Sequence, residues 1–123
     1  MSDAEAEPVV ATCHCGAVEL RLPRPRRVRH CNCSLCRRYG VLWAYPLAAE
    51  VAVRPDPPPT RTYAWNGRNV DFHHCRTCGC VTHWTPRRPG RERMGVNARL
   101  LPPEVLAAAE IERRDAAGTG IFA

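Results

Sequence analysis

The chain has 123 residues, of which 45% are hydrophobic, and its formal net charge is +6. This length predicts a single domain with a modest hydrophobic core, and no apolar run approaches the roughly 18 residues that a membrane-spanning helix needs. The lack of such a run excludes a transmembrane helix. All 18 basic residues are arginines and eight residues are cysteines, so the thiols are the first candidates for functional residues.

The N-terminal segment is acidic and lacks the apolar core of a signal peptide. We therefore expect a flexible tail over residues 1–10, no signal sequence and a cytoplasmic location. A single folded domain is expected over 11–115, followed by a second tail over 116–123. Thiols in the cytoplasm stay reduced, which favours metal binding over disulfides.

Alternation of apolar and polar residues predicts short β-strands along most of the chain. Residues 17–22 are the clearest case, with Val18, Leu20 and Leu22 on one face. Similar patterns predict further strands, in chain order, over 28–33, 41–45, 60–65, 70–74, 81–84 and 93–100. Residues 47–53 fit either a helical turn or another strand.

Turn signals separate these strands. The proline-rich segment 55–59 predicts a stiff surface loop, because proline removes the donors that a sheet needs. The Asn-Gly pair at 66–67 predicts a hairpin turn. A short helix is expected over 102–109, with prolines at its start and Glu104 in its first turn. The sequence thus predicts a mainly β, antiparallel fold with one short C-terminal helix.

The densest run of cysteines contains Cys31, Cys33 and Cys36. Cys31 and Cys33 are two residues apart and would share one face of an extended strand. Cys36 completes a C-x-x-C pair that is typical of zinc knuckles. We interpret the three thiols as ligands of one metal ion.

Two other thiol pairs flank this central run. A closed structural zinc site takes four ligands in a tetrahedron, and the flanking pairs supply such a set: Cys13, Cys15, Cys75 and Cys78. The central run then forms a three-ligand site with an open fourth position, which is the pattern of a reactive site.

Spacing alone leaves other groupings open. The central site can be closed by Cys80, which we otherwise expect beside it, or by one of four histidines: His30, His73, His74 and His83. Among these we regard His83 as the best candidate for a site residue.

Three motifs follow one another in a fixed order: Cys13-His14-Cys15-Gly16-Ala17-Val18, Cys31-Asn32-Cys33-Ser34-Leu35-Cys36-Arg37-Arg38 and Cys75-Arg76-Thr77-Cys78-Gly79. Together they resemble the glutathione-dependent formaldehyde-activating enzyme family, over about residues 12–99. The resemblance implies a zinc-stapled β fold of this type, a structural zinc ion on the four flanking cysteines, and a catalytic zinc ion on Cys31, Cys33 and Cys36. It also implies a carbon–sulfur lyase-type activity with two small-molecule partners, in which glutathione and formaldehyde form S-hydroxymethylglutathione or the adduct is cleaved.

Arg37 and Arg38 directly follow the central cysteines, and with Arg29 they can offset the charge of a thiolate-bound metal site. Arginine also binds carboxylates through paired hydrogen bonds, so we predict that Arg37 and Arg38 bind a glutathione-like ligand. We expect three aromatic residues to be core residues, with a pocket lining as the alternative: Trp43, Tyr45 and Trp84.

Two classes of function remain. A three-thiolate site can take a substrate thiol as its fourth ligand and hold it as thiolate, which favours an enzyme acting on a thiol adduct. The alternative is a non-catalytic zinc module that binds protein or, less favoured, nucleic acid through arginine clusters. A fourth protein ligand at the central site would favour the second class.

Overall fold

Ten strands and two short α-helices form the part of the chain that the computed structural model describes, residues 7–65 and 67–115. The strands are β1 (Pro8–Thr12), β2 (Glu19–Pro23), β3 (Arg27–Cys31), β4 (Trp43–Ala44), β5 (Ala52–Arg54), β6 (Thr60–Trp65), β7 (Val70–Cys75), β8 (Val81–Pro86), β9 (Gly95–Asn97) and β10 (Glu110–Arg114). The helices are α1 (Ser34–Tyr39) and α2 (Pro103–Ala108), and short 3-10 turns cover Ala48–Glu50 and Ala98–Leu100. The predicted mainly β fold is confirmed.

The strands form two sheets. The smaller sheet has the order β1-β2-β5, and the larger has the order β10-β3-β4-β9-β8-β7-β6. Within the described residues every strand pairing is antiparallel except β10 with β3, which is parallel. No helix in this part of the chain is long and apolar enough to span a membrane.

The buried residues form two clusters, and each contains one group of cysteines. The predicted inward face of β2 is confirmed, since Val18 and Leu20 are fully buried, and it packs in a cluster that includes Cys13 and Cys75. The second cluster contains the three central cysteines together with four apolar residues: Val41, Trp43, Val70 and Phe72. Five of the seven thiols in the two groups are therefore buried in the hydrophobic interior, whereas Cys78 is partly buried and Cys15 is exposed.

The N-terminal part of the fold begins earlier than the sequence patterns indicate. β1 starts at Pro8, so residues 8–10, for which we predict a flexible tail, pair with β2. Val9 and Ala11 are buried against the first cluster. The rest of the predicted N-terminal tail, the predicted tail over 116–123 and Asn66 of the hairpin signal lie outside the described residues, and the domain limits stay a prediction.

The strand predicted over 28–33 is too long. β3 ends at Cys31, and Cys33 is instead the N-cap of α1, its sulfur accepting a hydrogen bond from the backbone N–H of Cys36. The sequence patterns did not indicate α1, because a helix of this length has no room for a complete apolar period. Cys31 and Cys33 therefore converge through a strand-to-helix turn and not through a shared strand face.

β10 was not predicted either. Its five residues are all exposed and mostly charged, so it lacks the apolar alternation of a half-buried strand. Ion pairs to β3 accompany its backbone pairing, Arg27 with Glu110 at 3.5 Å and Arg29 with Glu112 at 3.3 Å. This pairing brings the C-terminal end of the described chain alongside the strand that ends at Cys31.

Candidate metal centres and the adjoining cavity

The four flanking cysteines meet as the sequence predicts. Their sulfur atoms all lie within 4.8 Å of one another, with 3.7 Å between Cys13 Sγ and Cys15 Sγ and 3.6 Å between Cys15 Sγ and Cys75 Sγ. Zinc–sulfur bonds of about 2.3 Å in a tetrahedron put neighbouring sulfur atoms about 3.8 Å apart. The four thiols, which also include Cys78, therefore fit one metal ion of zinc's size.

Backbone N–H groups support the sulfur atoms of this cluster. The N–H of Val18 donates to Cys13 Sγ at 3.3 Å, and the N–H of Thr77 donates to Cys75 Sγ at 3.4 Å. Hydrogen bonds to the charged form of a thiol favour that form. The backbone N–H of Cys78, together with that of Thr77, lowers the pKa of the Cys75 thiol, so the turn after β7 favours the thiolate form of this ligand candidate.

Cys80 lies next to this four-cysteine cluster. The backbone N–H groups of Cys80 and Cys15 lower the pKa of the Cys78 thiol to about 5, and the Cys80 side chain packs against the buried cluster that contains Cys13. Our expectation that Cys80 lies beside the central cysteines is therefore wrong. Cys80 adjoins the four-cysteine group without belonging to it.

The central cysteines converge at the junction of β3 and α1. The sulfur atoms of Cys31, Cys33 and Cys36 lie within 4.8 Å of one another, and all three residues are buried. Cys36 Sγ accepts a hydrogen bond from the indole N–H of Trp43 at 3.3 Å. Among residues 7–65 and 67–115, no histidine, carboxylate or further cysteine joins this group, so it offers three protein ligands.

Burial is the largest influence on the ionisation of Cys31 and Cys36. It raises the pKa of the Cys36 thiol, although the indole N–H of Trp43 acts in the opposite direction. Burial also raises the pKa of Cys31. Thiols in this environment require a cation to ionise at neutral pH, and a bound metal ion supplies it. The donor set therefore fits a thiophilic metal such as zinc.

A cavity of about 450 Å³ reaches Cys31 and Cys36. Its walls are largely aromatic, and its lining includes Trp43, Tyr45, Trp65, Phe72 and Trp84. The three aromatic residues that we expected to be core residues therefore line a pocket, which was the alternative. Trp43 is both a core residue and a lining residue, because it is only 1% exposed and one of its surfaces borders the cavity.

Three arginines line the same cavity, and none of its lining residues is an aspartate or glutamate. The Arg29 guanidinium lies 5.0 Å from the centre of the Tyr45 ring, a cation–π contact, and is also paired with Glu112 of β10. Arg91 and Arg114 are the other two. Sequence reasoning named Arg29 as a charge partner but gave no such role to Arg91 or Arg114, since only the tertiary fold brings them to the cavity.

Arg37 and Arg38 lie on α1, where both are exposed, and neither lines the cavity. Arg38 Nη1 donates to the backbone oxygen of Ser34 at 2.8 Å. Ligand binding by Arg37 and Arg38 stays a prediction, and the cavity gives it no support.

The Trp84 indole is fixed as a wall of the cavity by Gly95. Trp84 pairs with Gly95 across β8 and β9, and a Cβ atom at Gly95 would fall inside the indole ring. Glycine is therefore required here for close approach. The Tyr45 ring also lies near the indole, with a centroid distance of 6.1 Å.

The buried His83 pairs with the partly buried His73. His73 and His83 stack with centroids 4.1 Å apart and ring planes 13° apart. His73 is held between the hydroxyls of Thr60 at 2.8 Å and Thr85 at 3.0 Å, and Nδ1 of His83 lies 2.7 Å from the Thr82 hydroxyl. All five histidines fall within the described residues, and none joins a cysteine group, so neither His83 nor another histidine supplies a fourth ligand to the central cysteines.

This histidine pair makes stability depend on pH. Burial, followed by the neighbouring His73, lowers the pKa of His83 from 6.5 to about 3. The folded state thus favours the neutral form of His83. The contribution of His83 to stability is therefore complete above pH 6.5 and is lost as the pH falls toward 3. Between these limits, the free energy of unfolding should fall by about 1.4 kcal/mol per pH unit from this group.

Denaturant unfolding at pH 7.5 and 5.5 tests this, with His83→Phe as the comparison because phenylalanine keeps an aromatic ring and cannot titrate. Loss of metal at low pH affects both proteins, so the difference between their pH slopes isolates His83. Equal slopes would contradict the expectation.

Two comparisons with known proteins bear on this site. Residues 8–112 match a family model described as "Glutathione-dependent formaldehyde-activating enzyme". The chain is also similar to the crystal structure of a Rhodobacter sphaeroides protein, with 33% sequence identity and a TM-score of 0.67, over 83% of this chain and 98% of that one. The resemblance carried by the three cysteine motifs is thereby confirmed.

Proposed function

Because the chain belongs to the glutathione-dependent formaldehyde-activating enzyme family, we propose that it is a zinc-dependent enzyme that joins a glutathione-type thiol to a small aldehyde such as formaldehyde. The reverse reaction makes it a carbon–sulfur lyase. The observation that supports this most strongly is a group of three cysteines, without a fourth protein ligand among the described residues, beside a cavity of about 450 Å³.

We assign a structural zinc ion to the four-cysteine group and a catalytic one to Cys31, Cys33 and Cys36. When bound by three thiolates, zinc supplies an open coordination position at which a substrate thiol is held as thiolate at neutral pH. The cytoplasmic location that we predict suits this assignment, because a reducing compartment keeps the thiols available.

The surrounding side chains bind and orient the substrate. Arg29, Arg91 and Arg114 can take the carboxylates of a glutathione-like ligand in paired hydrogen bonds, and their charge offsets that of the thiolates. The indole N–H of Trp43 fixes Cys36 Sγ. The aromatic walls exclude water from the reacting atoms.

The chemistry is an addition without change of oxidation state. The sulfur lone pair attacks the carbonyl carbon and forms the carbon–sulfur bond. The π electrons of the carbonyl move to its oxygen, which takes up the proton released by the thiol. Cleavage of the adduct follows the same steps in reverse.

Calorimetry with reduced glutathione and S-methylglutathione tests the thiol requirement. Methylation removes the thiolate ligand and leaves both carboxylates for the arginines, so we expect the thioether to bind at least tenfold more weakly. Equal affinity for the two would contradict the proposal. Oligonucleotide binding that falls steeply with salt, together with no thiol binding, would instead support the nucleic-acid module.

The metal assignment gives a second expectation. Purified protein should contain two zinc ions per chain, and the three-thiolate group should lose its ion first to a chelator because it has one ligand fewer. Elemental analysis during a chelator titration measures both quantities. Protein without metal, with its cysteines in disulfides, would exclude the assignment.

A further inference from the structure

The cavity is apolar where it meets the central cysteines. Cys31 and Cys36 are 6% and 7% exposed and belong to the buried cluster that contains Trp43, Val70 and Phe72. Every buried member of that cluster lines the cavity except Cys33 and Val41. A group attached to a sulfur atom at the central site would therefore lie against aromatic and aliphatic surfaces.

The charged part of the lining is more exposed. The Arg29 side chain is 32% exposed, and Arg91 and Arg114 are exposed on the surface. We call these three residues the rim arginines. Glutathione carries a carboxylate at each end and its thiol on the central residue, so it would place a carboxylate at the rim arginines and the sulfur beside the cysteines.

Formaldehyde would leave most of the apolar part of the cavity without contact. The hydroxymethyl group that formaldehyde forms on sulfur is small and polar, so it would cover little of the aromatic wall. The cavity of about 450 Å³ falls in the range, roughly 300–1,000 Å³, of pockets that enclose drug-sized ligands, and it would hold both the thiol substrate and the group added to its sulfur. Burial of apolar ligand surface against such walls is favourable in proportion to its area.

We propose that the aldehyde substrate carries an apolar group of about the size of a benzene ring, which packs against Trp65, Phe72 and Trp84. This inference rests on the proposed function and specifies its second substrate. The thiol sulfur bonds to the carbonyl carbon, the carbonyl double bond becomes a single bond, and the oxygen takes the thiol proton. The product is a hemithioacetal whose apolar group stays in the aromatic part of the cavity.

S-substituted glutathiones separate this inference from the proposed function. S-benzylglutathione and S-methylglutathione both lack the free thiol and keep the same carboxylates, so their difference reports only the apolar group. Calorimetry on the wild-type chain should show at least tenfold tighter binding of the benzyl compound. Under the same conditions, exchange NMR should show faster hemithioacetal exchange with benzaldehyde and glutathione than without protein.

Variants locate the benzyl group. Trp65→Ala and Trp84→Ala should each reduce the benzyl preference at least threefold, whereas Trp65→Phe should retain most of it. Tyr63→Ala is the matched control, because Tyr63 lies on the same strand as Trp65, is 49% exposed and does not line the cavity. Zinc content and circular dichroism establish that each variant is folded.

Two results would overturn the inference. One is equal binding of the benzyl and methyl compounds by the wild-type chain, and the other is a benzyl preference that both alanine variants retain, which would place the group elsewhere. The proposed function would be contradicted by a different result, which is equal affinity of the chain for glutathione and S-methylglutathione.

Discussion

Replacement of Cys78 by serine is expected to leave the chain largely unfolded. Cys78 is one of four cysteines whose sulfur atoms could hold one metal ion, and Cys13 and Cys75 of this group are also part of the larger buried cluster. Structural zinc contributes roughly 10–16 kcal/mol of apparent binding free energy in small zinc domains, whereas a typical domain is stable by about 5–15 kcal/mol in total. Circular dichroism and thermal unfolding measure the loss, and Cys75→Ser should behave in the same way.

Cys80→Ala is the matched control for this experiment. Cys80 is only two residues from Cys78 and packs against the same buried cluster, but it lies outside the four-ligand group. We expect the control to keep both zinc ions and the wild-type melting temperature to within a few degrees. If Cys78→Ser were as stable as Cys80→Ala, the four-cysteine group would not be structural. A fall to one zinc ion in Cys80→Ala would identify Cys80 as a ligand.

Replacement of Cys36 by serine is expected to keep the fold and remove thiol binding. Cys36 is a member of the three-cysteine group that borders the cavity, and the four-cysteine group is untouched by the change. Substitution of residues that support the ligands of a metal typically lowers activity or metal affinity about 10–100-fold. Loss of a ligand itself should therefore lower activity or metal affinity about 100-fold or more. Exchange NMR of the hemithioacetal, calorimetry with glutathione and zinc analysis measure the effect.

The result that distinguishes the two groups is the comparison of Cys36→Ser with Cys78→Ser. The first should contain one zinc ion and melt cooperatively, and the second should not melt cooperatively. If Cys36→Ser unfolded as completely as Cys78→Ser, the central group would be structural as well, and the enzymatic proposal would lose its site.

The cysteine motifs and most strands could be predicted because their signals are local. The C-x-C spacing of Cys13 and Cys15 and the C-x-x-C spacing of Cys75 and Cys78 each keep two sulfurs close together within one turn, whatever the rest of the chain does, so both pairs were recognisable. Alternation over a few residues likewise identified the buried face of β2, and the Asn-Gly pair indicated the hairpin of β6 and β7. These features gave the fold class and the division into two thiol groups.

The composition of the cavity was decided by tertiary structure alone. Arg114 reaches it because β10 pairs with β3, and a fully exposed, charged strand carries no periodic signal of that pairing. Trp84 forms a wall because its partner across the sheet is Gly95, which depends on the register of β8 and β9. Arg37 was favoured because it follows Cys36 in sequence, but position on a helix, not sequence distance, determines which side chains face a site. The sequence by itself therefore determined the cysteine motifs and most of the strands, while long-range strand pairing decided which arginines and aromatic rings surround the central thiols.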